Sequence, residues 1–188
     1  MSFEADIEQC LRVLKEGGVI LYPTDTVWGL GCDATNASAV EKIYSIKQRP
    51  DEKAMIVLVA DESDILKHVA APDLQVFDHL QKTNKPTTVI YEGAIGFAAN
   101  LVAKDGSIAI RICNDTFCKS LIKRFRKPIV STSANLSGEP TPKTFTEITA
   151  SIKAKADQIV RYRQDDNSIR ESSSIIKWTN GKVEVIRP

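Results

Sequence analysis

Gly18-Val19-Ile20-Leu21-Tyr22-Pro23-Thr24-Asp25-Thr26-Val27-Trp28-Gly29-Leu30-Gly31 is the stretch on which the fold class turns. Val19–Tyr22 is an apolar run bounded by glycine before and proline after. It is too short for a core helix and reads as a buried strand. Pro23 to Gly31 reads as a loop that carries Thr24, Asp25 and Thr26. An apolar strand running straight into a polar loop is the arrangement by which α/β folds place binding sites at strand ends.

Outward from this stretch, helices and strands alternate. Ala5–Glu16 puts Ile7, Cys10, Leu11 and Leu14 on one helical stripe, and Gly17-Gly18 ends it. Ser38 is the expected N-cap of a helix bearing Val40, Ile43, Tyr44 and Ile46, with Pro50 as its stop. Met55–Val59, Thr88–Tyr91 and Ile108–Ile112 read as strands. Asp73–Gln81 reads as a helix with Leu74, Phe77 and Leu80 at core spacing. Asp115 is placed to cap a helix whose inner face is Cys118, Leu121, Ile122 and Phe125. Ile129-Val130 leads into a second polar loop, Ser131–Pro142, followed by a helix near Phe145–Lys155. Strands are expected at Ile159–Tyr162, Ser174–Trp178 and Val183–Ile186, the last two joined at Asn180-Gly181. The pattern predicts an α/β fold, a twisted mixed sheet flanked by helices. Strand order does not follow from it.

Composition narrows the function classes. At 188 residues the chain fits one domain, 1–188. Apolar content of 43% with 26% charged residues is ordinary for a globular domain. A net charge of +1 (25 basic against 24 acidic) gives no global attraction for nucleic acid, so any RNA contact must be local. No basic-then-apolar leader and no membrane-length apolar run are present, so a soluble cytoplasmic protein is expected. Cys10, Cys32, Cys113 and Cys118 form no C-x-x-C pair and have no histidine at ligand spacing. They read as free thiols, and no metal site is expected.

Two polar segments carry the chemistry. Lys47-Gln48-Arg49-Pro50 sets two cations one residue apart at a helix end, where they suit a polyanion or simply complement the helix dipole. Ser131-Thr132-Ser133-Ala134-Asn135-Leu136-Ser137-Gly138 offers several donors to an anion, or forms a locally bonded turn. The basic run Lys119–Lys127 fits either a solvated helix face or a contact with RNA phosphates. Trp28, Phe97 and Trp178 read as packing residues. There is no G-x-x-x-x-G-K-[ST] loop, no complete dinucleotide fingerprint and no G-x-S-x-G elbow. A site of Lys, Arg, Ser, Thr and Asn works by positioning and charge stabilisation, which suits phosphoryl and nucleotidyl transfer.

Taken in order, these segments resemble the YrdC family of threonylcarbamoyl-AMP synthases. The opening run Gly18–Gly31, Lys47-x-Arg49-Pro50 and Ser131–Gly138 match that family's three signatures. Ala109-Ile110-Arg111, Ser172–Ile176 and Val185–Pro188 match more weakly. The resemblance implies a mostly open sheet around a concave basic cavity, and a reaction of L-threonine, bicarbonate and ATP, with Mg2+ on the phosphates, for tRNA modification. It assigns Lys47, Arg49, Ser133 and Asn135 to the catalytic set. Tyr22, Thr24 and Thr26 are assigned to the threonine and nucleotide site. Arg111, Ser137, Ser173 and Arg187 are assigned to carboxylate, ribose or phosphate contacts.

Two segments depart from the family pattern. Lys53-Ala54-Met55 stands where Lys-Pro-Leu is usual, and Asn84–Thr88 replaces P-G-P-L-T. The chain also looks like the short, single-domain type. A tRNA contact and the downstream transfer machinery are the implied partners. A non-catalytic RNA-binding factor and an inactive paralogue are the competing expectations. The intact four-residue set argues against the latter.

Overall fold

The computed structural model describes residues 3–48, 55–179 and 181–188. Helix α1 (Glu4–Lys15) buries Ile7, Cys10, Leu11 and Leu14, the stripe read from the sequence. Its outward carboxylates Glu4 and Glu8 reach Arg124 of helix α5 (Thr116–Phe125), pinning the two helices together. α5 buries Phe117, Cys118, Leu121, Ile122 and Phe125. The Asp115 side chain caps it by accepting the Cys118 N–H at 2.9 Å, as the sequence predicts.

Nine strands form one sheet in the order β7-β1-β2-β6-β3-β5-β4-β8-β9. Their ranges are β1 Ile20–Tyr22, β2 Gly29–Gly31, β3 Ile56–Val59, β4 Thr87–Tyr91, β5 Ile108–Ile112, β6 Ile129–Ser133, β7 Gln158–Ile159, β8 Ser174–Thr179 and β9 Lys182–Arg187. Parallel pairs (β1 with β7, β3 with β5, β4 with β8) are interleaved with antiparallel ones, so the sheet is mixed. The α/β class, with an open sheet flanked by helices, is as expected.

Strand β6 joins the two halves. Ile129–Ser131 pair with β3, and Thr132 and Ser133 pair with β2 on the other side. Gly29 and Gly31, read as loop residues, are strand residues here, and the reason is space. A Cβ on Gly31 would lie 2.5 Å from the Tyr22 ring and 2.7 Å from the Val130 carbonyl, and one on Gly29 would lie 3.1 Å from the Thr132 carbonyl. Only glycine lets β2 pass this close to β6. Ser131–Ser133 likewise belong to β6 rather than to a loop, because Ser131 pairs with β3 and Thr132 and Ser133 pair with β2.

Other boundaries shift for local reasons. Asn36, not Ser38, caps helix α2 (Ala37–Lys47) by accepting from Ala39 N, and α2 ends in a left-handed Gln48. Arg49 and Pro50, expected to follow it, lie outside the described residues. Helix α4 (Gln75–Lys82) leaves Leu74 60% exposed, because Leu74 precedes the helix and turns outward. Helix α3 (Glu62–His68) has no counterpart in the sequence reading, and its only buried residue, Ile65, supplies no stripe. Helix α6 (Ala150–Lys155) begins after Phe145, whose ring instead packs over Trp28 at 4.9 Å. β8 and β9 form the predicted hairpin, with Thr179 opposite Lys182 and Gly181 at φ +73°.

The four cysteines are free and buried. Burial pushes the Cys10 thiol up to about 12 and raises Cys32 and Cys118 as well. No helix among the described residues is long and apolar enough to cross a membrane.

Candidate active site

A hollow of about 210 Å³ opens on the sheet where β3, β5, β6 and β8 meet the loop between β1 and β2. Ser131, Thr132 and Ser133 of β6 form one wall, Thr26 and Gly29 a second, and Arg111, Ser173 and Arg187 a third. Among the described residues, the charged side chains in this lining are the two arginines; the other polar side chains are hydroxyls. An anion is the ligand that such a lining can hold. Two cationic forks and several O–H donors meet it, and the described part of the lining holds no carboxylate to repel it.

Arg111 reaches the hollow because it sits in β5 opposite Leu58 of β3, at the centre of the sheet. Its side chain is 3% exposed and is held by Asp25 at 3.0 Å and by Thr26 Oγ1 at 3.2 Å. Its Nε is buried with no hydrogen-bond partner. Arg187, at the end of β9, donates Nε and Nη2 to the Ser173 carbonyl at 3.1 and 2.8 Å. Burial, with a smaller contribution from the nearby Arg111 charge, lowers the Arg187 pKa below its ordinary value.

Thr24 and Thr26 are buried, with their hydroxyls 3.0 Å apart. Thr24 Oγ1 donates to the Val27 carbonyl at 2.8 Å, closing a tight turn. The same loop is gripped from below. Cys118 Sγ–H donates to the Pro23 carbonyl at 3.2 Å, and Arg163 Nη1 donates to the Thr24 carbonyl at 3.1 Å. Arg163 also pairs with Asp115 at 2.9 Å and Asp166 at 3.1 Å. No sequence signal pointed to Arg163: it stands alone in a long polar connection, in a left-handed conformation of φ +66°.

Lys47 is 1% exposed, and its ammonium donates to the Ser133 carbonyl at 2.5 Å and to the Asn135 carbonyl at 2.7 Å. The Asn135 amide donates in turn to the Glu139 carbonyl at 2.7 Å, and Ser137 N donates to the Lys47 carbonyl at 2.8 Å. The end of α2 and the turn after β6 are therefore locked together. Lys47, Ser133 and Asn135 are brought into one cluster, with Ser133 also facing the hollow. Arg49, the second cation of that segment, lies outside the described residues.

Tyr22, expected beside the substrate, is a core residue. Its ring is 1% exposed and its hydroxyl donates to the Val130 carbonyl at 3.1 Å. Three consecutive buried residues in β1 leave it no route to the surface. Ser137 is joined to Lys47 through its backbone, and the structure does not place it in the hollow's lining. The sequence reading attached no role to Asp25, although it lies inside the first motif. Thr141 and Ser172 also line the hollow without having been singled out. In the basic run, Arg124 faces Glu4 and Glu8, Lys127 faces Asp33 at 2.6 Å, and Lys123 lies 3.9 Å from Asp61. Much of its charge is matched within the chain.

Comparison with known proteins gives a consistent result. The sequence profile of the Sua5/YciO/YrdC family, described as "Telomere recombination", matches residues 12–188. A threonylcarbamoyl-AMP synthase of Pseudoalteromonas translucida is 35% identical over 97% of this chain and 98% of its own length. A protein of the same name from Photobacterium profundum is 38% identical over 76% of this chain and 79% of its own. Among solved structures, P. abyssi Sua5 superposes with a TM-score of 0.88 at 22% identity. That match covers all of this chain, which spans 57% of the Sua5 chain. A second P. abyssi Sua5 structure holds L-threonine. E. coli YciO superposes with a TM-score of 0.80 at 24% identity, over 97% of this chain and 88% of its own. The profile match over nearly the whole sequence, with relatives above 30% identity along most of it, makes this chain a member of the Sua5/YciO/YrdC family.

Proposed function

We propose that this chain, acting as one domain over 1–188, is a threonylcarbamoyl-AMP synthase. It would join L-threonine, bicarbonate-derived CO2 and ATP into threonylcarbamoyl-AMP and pyrophosphate, for tRNA modification in the cytoplasm. The observation that carries the proposal is the chemistry of the hollow. Arg111, Arg187 and a wall of hydroxyls form an anion site in a chain whose near-full-length relative bears that name.

The threonine amine adds to CO2 and loses a proton, giving a carbamate. One carbamate oxygen then attacks the α-phosphorus of ATP, and the bond to the bridging oxygen breaks as pyrophosphate leaves. Among the described residues, the hollow's lining contains no histidine or carboxylate to act as a general base. Its contribution is to hold two anions, carbamate and triphosphate, against their mutual repulsion. Arg111, Arg187 and the hydroxyls of Ser133 and Ser173 supply donors for that purpose, and Thr26 holds Arg111 by accepting from it. Lys47 and Asn135 hold the Ser133 wall in place, and Arg49 supplies a further fork for phosphate or carboxylate. Thr24 shapes the loop that presents Thr26.

No group of three or more metal-ligating side chains is found among the described residues. In this proposal Mg2+ arrives with ATP, held by its phosphates. A contact with tRNA or with a downstream transfer enzyme belongs to the same proposal, since the adenylate must be handed on.

The test is pyrophosphate release from ATP by purified protein with magnesium. Release that requires both threonine and bicarbonate is expected. Its absence, with intact folding, would leave anion binding without catalysis as the better account.

A further inference from the structure

We propose that Asp25 is a positioning residue: it sets the plane of the Arg111 guanidinium so that the donors left free on that fork meet an anionic group of the substrate. The inference rests on the anion-binding reading of the hollow and adds a residue that touches no substrate itself.

Asp25 lies in the loop after β1, yet both of its carboxylate oxygens are bound on the far side of the site. Oδ1 accepts from Arg111 Nη2 at 3.0 Å, and Oδ2 accepts the backbone N–H of Asn114, just beyond β5, at 3.1 Å. The carboxylate is 8% exposed and the guanidinium 3%, so neither is free to rotate into solvent. Thr26 Oγ1 takes a second bond from the same Nη2. These contacts occupy one corner of the planar fork. Among the described residues, Nε is left buried without an acceptor. An unmet buried donor on a charged group carries the full cost of its lost hydration. Arg111 lines the hollow, so the acceptor that removes that cost is an anion bound there.

The charge balance points the same way. Two arginines share this end of the hollow, and one carboxylate pairs with one of them. The remaining positive charge suits a phosphate or carboxylate group. Without Asp25, the buried Arg111 guanidinium would face the Arg187 charge with no carboxylate beside it and would lose its fixed orientation. Asparagine cannot replace it. One face must accept from Arg111 and the other from Asn114 N–H, whereas an amide turns a donor toward one of them.

Two effects of Asp25→Asn oppose each other in sign, which makes the proposal testable. Loss of a negative charge alone would tighten anion binding. Loss of orientation weakens it. We expect calorimetric binding of sodium pyrophosphate to be at least tenfold weaker in Asp25→Asn, with thermal unfolding of the variant followed alongside. Unchanged or tighter binding by the folded variant overturns the proposal, as does a wild-type protein that does not bind pyrophosphate. If Asp25→Asn does not fold, Arg111→Lys gives a second test. It keeps the charge and removes the fork, so a similar loss is expected, and wild-type affinity would overturn the proposal. Pyrophosphate binding needs no turnover. A wild-type protein that binds it without making the adenylate counts against the synthase reading and not against Asp25.

Discussion

The Lys47 ammonium and the Asn135 carbonyl lie 2.7 Å apart although 88 residues separate them in sequence. With the Ser133 carbonyl also on the ammonium, one buried cation organises the turn that follows β6. A charge this deep is tolerated only where acceptors surround it. Its position couples the end of α2 to one wall of the hollow, so stability and site geometry depend on the same side chain.

Lys47→Met is therefore expected to lower stability by about 3 kcal/mol, since it removes charge-assisted bonds and strands two carbonyls. Urea unfolding measures this. The same variant should lose pyrophosphate release even at temperatures where it remains folded.

Arg49→Ala tests the cation that stands beside Lys47 in the sequence motif. Loss of a bidentate charge-assisted contact should cost about 3 kcal/mol of transition-state stabilisation, or roughly a hundredfold in kcat/KM. Near-normal turnover would remove Arg49 from the mechanism.

Gly31→Ala would drive a methyl group into the Tyr22 ring and the Val130 carbonyl, at 2.5 and 2.7 Å. One of those contacts is backbone in the centre of the sheet and cannot move aside easily. A loss of about 2–3 kcal/mol is expected, read as a lower thermal midpoint. Gly138→Ala has open space around it but a φ of +90°, so its smaller cost is conformational.

The thiols give a pH-based prediction. Burial, and for Cys10 the nearby Asp6 charge, pushes that thiol up to about 12. At pH 8 only about one part in ten thousand would be thiolate, against roughly a quarter for an ordinary cysteine. Native protein should react with a disulfide reagent far more slowly than unfolded protein, in which all four cysteines titrate. Fast labelling of the native state would contradict this burial.

Asp166 contributes to the acid limb of stability. The Ser168 hydrogen bonds, followed by the Arg163 charge, hold its carboxyl below the ordinary value. A depressed folded-state pKa adds stability above the unfolded value, near pH 4, and that stability is lost as pH falls through the folded value. Asp166→Asn should flatten the stability profile below about pH 5, measured by denaturant titration at stepped pH. An unchanged acid limb would show that the Arg163 network carries no such coupling.

The sequence by itself determined the α/β class, most element positions, and the motifs that became the site. Short-range physics controls these features: the apolar stripe of α1, the Asp115 cap, the glycine of the β8–β9 turn, and a hydroxyl-rich run after a strand. Tertiary structure alone decided the strand order, the use of Gly29–Gly31 as a strand, and the burial of Tyr22. It also decided which residues brace the site, among them Asp25 and Arg163. Each of those depends on groups distant in the chain approaching within a few ångströms, and no local periodicity records that distance. A tyrosine next to a polar motif reads the same in sequence whether it points at substrate or into the core, and only the packing of β2 and β6 around it decides.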